Sequence, residues 1–100
     1  MGKEVIWSPK ALGQLESIHS YVFERSKSLQ IADKLINEIF DSSDILGAQP
    51  EMFHLDKYKT NNKGNYRAYE INGYRITYRI TKLDVRIIRA RHASRDPEIL

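Results

Sequence analysis

The sequence predicts an α+β domain of element order β-α-α-β-β-β, a helical hairpin packed on one face of an antiparallel sheet. Three observations carry this expectation. The N-terminal half holds two apolar stripes at helical spacing, bounded by helix start and stop signals. The C-terminal half changes to period-two alternation on either side of an Asn-Gly pair. The apolar content, 41% of 100 residues, supplies one packed core, so residues 1–100 are read as a single domain without a linker.

The first element is a short strand from Lys3 to Trp7. Ser8-Pro9 follows, with Ser8 as a helix cap and Pro9 at the first helical position, where a missing N–H is harmless. Leu12, Leu15, Ile18 and Val22 then mark a helix from Pro9 to Ser26. After a turn at Ser26-Lys27-Ser28, a second helix runs from Leu29 to Leu46, with Ala32, Leu35, Ile36, Ile39, Phe40 and Ser43 on one stripe. Gly47 is its expected stop and Pro50 prevents its continuation. So short a break makes the two helices an antiparallel hairpin. Residues 50–65 read as a loop, with Met52, Phe53 and Leu55 expected to pin part of it to the core. Strands follow at Tyr66–Ile71, Tyr74–Ile80 and Val85–Arg91, the first two joined by the hairpin turn Asn72-Gly73. His92 to Leu100 is an irregular tail.

Composition excludes several chemistries. With no Cys there is no disulfide, thiolate metal site or cysteine nucleophile. Three scattered His residues without helical pairing make no metal site, and no glycine-rich phosphate loop or nucleophile elbow is present. No cofactor is expected. No apolar run approaches the ~20 residues of a membrane span, and the N-terminus lacks an apolar signal core, so a soluble, cytoplasmic protein is expected. The net charge of +3 is unevenly placed. Residues 1–56 hold 5 Lys+Arg against 9 Asp+Glu, a net of −4, and residues 57–100 hold 11 against 4, a net of +7. Such a positive half is suited to phosphates or to an acidic protein segment.

Strand parity sorts the candidate site residues. With Tyr74, Ile76 and Tyr78 beneath the helices, Arg75 and Arg79 project from the uncovered face. On the last strand Ile88 and Ala90 are the best inward pair, which sends Arg89 and Arg91 outward. Parity leaves Tyr66–Ile71 open; if Ala68 faces inward, Arg67 and Tyr69 join Arg75 on the uncovered face. Arginines interleaved with a tyrosine suit phosphate recognition and base stacking. With four acidic residues in this half, most of the arginines are expected to lack a local partner. His92, between Arg91 and Arg95, is the group there that could carry a proton near neutrality.

Several segments resemble the RelE/ParE toxins of bacterial type II toxin–antitoxin pairs. They are Val5-Ile6-Trp7-Ser8-Pro9-Lys10-Ala11, Gly64-Asn65-Tyr66-Arg67, Gly73-Tyr74-Arg75-Ile76-Thr77-Tyr78, Ile87-Ile88-Arg89-Ala90-Arg91-His92 and Ser94-Arg95-Asp96-Pro97. In order, they span nearly the whole chain. The resemblance implies a growth-inhibiting toxin with a cognate antitoxin protein as partner. ParE-like members inhibit DNA gyrase without being enzymes. RelE-like members cut mRNA on the ribosome, and on that alternative the catalytic candidates are Arg67, Arg75, His92 and Arg95. Tyr69 stands where a RelE-type enzyme carries a second lysine, and the His92/Arg95/Asp96/Pro97 tail looks more like the ParE side. The expectation is therefore a ParE-like toxin whose target- or nucleic-acid-binding residues are Arg67, Tyr69, Arg75, Arg79, Arg91 and Arg95.

Overall fold

The structure, a computed structural model, describes residues 2–94. Its elements are β1 (Glu4–Trp7), α1 (Pro9–Ser26), α2 (Leu29–Ser42), a 3-10 turn at Asp44–Gly47, β2 (Tyr66–Ile71), β3 (Tyr74–Ile80) and β4 (Asp84–His92). The predicted order is thus present, with the helical hairpin on one face of the sheet. Strands lie in the order β1-β4-β3-β2. The last three form the expected antiparallel meander, and Asn72 and Gly73 take the left-handed φ values of 52° and 83° that its tight turn requires. β1 adds beside β4 in parallel, Glu4 opposite Asp84 and Trp7 opposite Ile87, so the complete sheet is mixed. Parallel neighbours need a long crossover, which the helical hairpin opens and the meander completes.

Local chemistry accounts for the helix ends. The Ser8 hydroxyl accepts the Ala11 N–H at 3.0 Å, and Ser28 accepts that of Ile31 at 3.2 Å. Lys27, left-handed at φ 57°, closes α1 by donating its N–H to the Phe23 carbonyl. α2 stops at Ser42, short of the predicted Leu46. Ser42 and Ser43 turn their hydroxyls onto the carbonyls of Ile39 and Phe40, competing with the helical ladder. The chain then tightens into the 3-10 turn, burying Leu46 completely. Gly47 consequently serves close approach to β1 rather than stopping an α-helix. Its carbonyl accepts the Lys3 N–H at 2.8 Å, and a Cβ there would lie 2.5 Å from the Lys3 oxygen.

The core lies between the hairpin and the sheet. Tyr74, Ile76 and Tyr78 are buried there as expected, with Leu15, Ile39, Leu46, Val85 and Ile87. Trp7 stacks on Phe40 with ring centroids 5.5 Å apart, and its indole N–H donates to Ser43 Oγ at 3.0 Å, tying β1 to the end of α2. β4 corrects the predicted parity. Ile87 and Ala90 are buried and Ile88 is only half-buried, because the strand is bulged: Tyr78 faces Ile87, Thr77 faces Arg89, and Ile88 is the extra residue.

The 50–65 loop is more structured than its composition suggested. Leu55 pairs with Arg67 along the outer edge of β2, flanked by bonds from the Ala68 N–H to His54 and from the Asp56 N–H to Tyr66. Of the three apolar residues expected to pin it, only Phe53 does so, stacked on Tyr69 at 4.3 Å. Met52 and Leu55 remain 47% and 48% exposed. No helix among the described residues is long and apolar enough to cross a membrane.

Candidate target-binding face

Residues directly opposite each other in a ladder share a face, and the register therefore maps the side turned away from the helices. Arg75 lies opposite Arg91, Thr77 opposite Arg89, and Arg79 opposite Arg86. β2 contributes Tyr66, Ala68 and Glu70, opposite Arg79, Thr77 and Arg75. Five arginines from two adjacent strands thus occupy one face. The bulge makes this possible, since in a regular strand Arg86 and Arg89 would point to opposite sides.

Like charges directly opposite each other destabilise a sheet, and part of that repulsion is offset locally. Asp84 accepts from Arg86 Nε at 3.2 Å and from the Thr81 hydroxyl. The Thr81 and Arg86 hydrogen bonds hold the Asp84 carboxyl below its ordinary range. Asp56 reaches over the sheet to accept from Arg75 Nη2 at 2.8 Å, and the Tyr58 ring lies 4.9 Å from the same guanidinium. The expectation of unpartnered arginines is corrected here: Asp56, one residue before the basic half begins, returns to it through the loop. The Arg79 guanidinium and the Lys59 ammonium both lie against the Tyr66 ring, at 5.7 and 4.6 Å. Among the described residues Arg79 and Arg89 form no ion pair.

Ala68 lies on the uncovered face, so Arg67 and Tyr69 fall on the helix side, and the condition for their joining Arg75 is not met. Tyr69 shares a hydrogen bond with Ser42 Oγ at 2.9 Å, and burial raises its hydroxyl pKa against that bond. Arg67 is a loop clamp. It donates from Nη1 to the carbonyls of Phe53 (2.7 Å) and Glu51 (3.2 Å), and from Nε to that of Gly64 (3.2 Å). The neighbouring Tyr78 hydroxyl donates to the Pro50 carbonyl at 2.7 Å. His92 lies opposite Tyr74 on the helix side, edge-on to that ring at 5.3 Å. Arg95 lies outside the described residues. Of the residues singled out in the sequence, Arg75, Arg79 and Arg91 therefore share the uncovered face, while Arg67, Tyr69 and His92 do not. Arg86 was not singled out, and Arg89 was placed outward without a role. Only the bulge, which no turn residue announces, unites them with the others.

Two outcomes follow from this clamp. Arg67 is 15% exposed at its side chain, so water replaces its bonds poorly. Arg67→Ala is expected to lower stability by about 2–3 kcal/mol, a fall of roughly 10–20 °C in thermal midpoint for a domain this size. Arg67→Lys should restore less than half, since an ammonium lacks the planar fork that reaches three carbonyls. Equal stability of wild type and Arg67→Ala in urea unfolding would contradict the clamp. The second outcome concerns alkaline pH. Burial pushes the Tyr78 hydroxyl up to about 12 from its ordinary 10.0, with the Arg67 charge pulling it partly back. The unfolded chain loses that proton near the ordinary value and the folded chain retains it. The stability it contributes is whole below pH 10 and is lost as pH rises towards 12. Ultraviolet phenolate titration should show Tyr78 ionising later than the exposed tyrosines, and Tyr78→Phe should remove that late step.

A helical hairpin on a four-stranded sheet with a cationic outer face defines a small toxin fold of the RelE/ParE kind. The comparisons agree. The family model for the ParE toxin of the type II toxin–antitoxin system parDE matches residues 5–97, and the chain belongs to that family. Among solved structures it is similar to a chain of the chromosomal ParDE toxin–antitoxin system from P. aeruginosa. That match has 14% identity and a TM-score of 0.76, covering 92% of this chain and 97% of that one. The YoeB dimer from Staphylococcus aureus is also similar, at 13% identity and a TM-score of 0.56, covering 92% and 98%. A search of curated protein sequences finds no significant match. The protein is thus the toxin component of a type II toxin–antitoxin system, a family that implies a cognate antitoxin as partner.

Proposed function

We propose that this toxin inhibits DNA gyrase by binding it through the arginine face, and that its antitoxin neutralises it by covering charged and apolar surface together. One observation carries the reading: Arg75/Arg91 and Arg79/Arg86 stand directly opposite each other across β3 and β4. Asp56 and Asp84 offset part of this repulsion, and the concentrated positive charge that is left is suited to an anionic partner. A binding surface needs such shaped charge and no proton carrier. Cutting RNA requires a base and an acid as well, and arginine stays protonated. Among the described residues the face offers one exposed carboxylate, Glu70, while His92 lies on the helix side. The ribosome and mRNA are accordingly the less supported target, and the cytoplasm is where this reading places the toxin.

The antitoxin segment best suited to this chain is acidic and apolar. Leu12 on α1 and Leu29, Ile31 and Phe40 on α2 are more than 40% exposed, beside a sheet with a basic outer face. Association should slow as salt is added, because complementary charge mainly speeds encounter; stopped-flow rates independent of salt would contradict the electrostatic part. The target itself is tested with purified toxin in two assays, DNA supercoiling by gyrase and mapping of mRNA ends on ribosomes. Inhibited supercoiling with intact mRNA is expected. Codon-positioned cuts with supercoiling untouched would overturn the reading.

A further inference from the structure

A concavity lies on the helix side of the molecule, where β1 ends and the C-terminal part of β4, still paired with β3, has no strand along its other edge among the described residues. β1 pairs with β4 only as far as Ile87, and the chain then departs at Ser8 into α1. The gap is a cleft of about 450 Å³, within the range of small-molecule sites. Its walls are α1, through Gln14, Ser17 and Tyr21, and the end of the sheet, through Tyr74, His92 and Ser94.

The polar groups there are mostly donors. Gln14 stands in for the missing strand: its Oε1 accepts the Ala90 N–H at 2.7 Å. That bond fixes the amide and leaves its NH₂ group as a donor. The Ser94 N–H donates to His92 Nδ1 at 3.2 Å and the Ser94 hydroxyl lies 2.6 Å from the same nitrogen; with Nδ1 as the acceptor, the neutral ring carries its hydrogen on Nε2. The Tyr21 hydroxyl adds another donor, and the Arg25 guanidinium lies over the Tyr21 ring at 4.9 Å. Arg91 borders the cleft, although its position in β4 turns its side chain to the uncovered face with Arg75, and no carboxylate lines the cleft among the described residues. Donors without a carboxylate, with the Arg25 guanidinium against the outer Tyr21 ring, favour an oxyanion, and Tyr21, Tyr74 and the His92 ring offer flat surface for an aromatic body.

We infer that this cleft binds a small phosphate-bearing aromatic ligand of the nucleoside monophosphate class, at a site separate from the arginine face. The site is independent of whether gyrase is the target, because it uses the opposite side of the sheet and needs no toxin activity. Binding to the full chain is followed by NMR and calorimetry, with adenosine monophosphate, adenosine and inorganic phosphate as probes. A 5′-phosphorylated tetradeoxyadenylate distinguishes a free nucleotide from the end of a strand. Saturable binding of adenosine monophosphate is expected, at least tenfold tighter than adenosine or phosphate alone. The Gln14 side-chain amide and the Ser94 backbone amide should be among the resonances that shift. Ser17→Glu places a carboxylate at an exposed position on the cleft wall and should weaken binding tenfold or more. His92→Phe keeps the ring without the donor and should weaken it severalfold, both variants retaining the wild-type circular dichroism spectrum. Arg79→Gln, on the uncovered face, should leave it unchanged. Binding that survives Ser17→Glu, disappears in Arg79→Gln, or leaves the Gln14 amide unmoved would overturn the inference.

Discussion

Arg79→Glu combined with Arg89→Glu should abolish growth arrest while leaving the protein folded. Both side chains lie on the uncovered face, opposite Arg86 and Thr77, and neither forms an ion pair among the described residues. Their removal breaks no internal salt bridge, and Arg79→Glu places a carboxylate opposite Arg86, relieving a like-charge pair. The thermal midpoint should hold within a few degrees or rise. Binding is affected in the opposite sense. Like-charge juxtaposition in an interface opposes association by several kcal/mol. At about 1.4 kcal/mol per tenfold, affinity for an anionic target surface should drop by ~100-fold or more. The measurements are colony formation after induction without antitoxin, supercoiling with purified protein, and thermal unfolding. A folded double variant that still arrests growth would remove the arginine face from the mechanism.

Deleting Ile88 should leave the protein folded, with the same arginine face. The bulge lets Ile87 and Ala90, three residues apart, both face the core. Without the extra residue the ladder becomes regular, and Ile87, Arg89 and Ala90 still fall opposite Tyr78, Thr77 and Ile76. Arg89 and Arg91 therefore stay on the uncovered face, and the deletion removes only the half-buried Ile88 side chain and the local twist, about 1–3 kcal/mol. A regular strand that keeps Ile88 is the costly alternative, because it turns Arg89 and Arg91 beneath α1, where no acidic residue belongs to the core cluster. Burying even one unpaired charge is opposed by several kcal/mol, and a domain this size has about 5–15 kcal/mol in total. The deletion should still unfold cooperatively by circular dichroism and calorimetry, and Ile88→Val should lie within about 1.5 kcal/mol of wild type. A deletion variant without cooperative unfolding would show that β4 needs the bulge itself to pair with β3.

Much of the architecture was legible locally because local chemistry specifies it. Ser8-Pro9 and Ser28 cap their helices through single side-chain hydrogen bonds, and Asn72-Gly73 forces positive φ at adjacent positions. The run Tyr74 to Tyr78 alternates so regularly that its buried side could be named in advance. The end of α2 was less legible, since Ser42 and Ser43 compete with the backbone only where the chain must turn towards β1. Gly47 looked like a helix stop, although it is held close to Lys3, 44 residues earlier in the chain.

By itself the sequence determined the element order, the hairpin turn, the identity of the central core strand and the concentration of positive charge in the second half. Each of these depends on neighbours a few residues apart. The tertiary structure alone decided which arginines act together. In β2 both parities contain apolar residues, and the choice was made by Tyr69 finding Ser42 and Phe53, and by Arg67 finding the carbonyls of the loop. In β4 the bulge set the faces, through pairing with β3 rather than any turn signal of its own. Asp56 met Arg75 only because Leu55 pairs along the edge of β2 and carries the loop onto the sheet. Long-range pairing sets the register, the register sets the face of every side chain, and a shift of one residue exchanges core for surface.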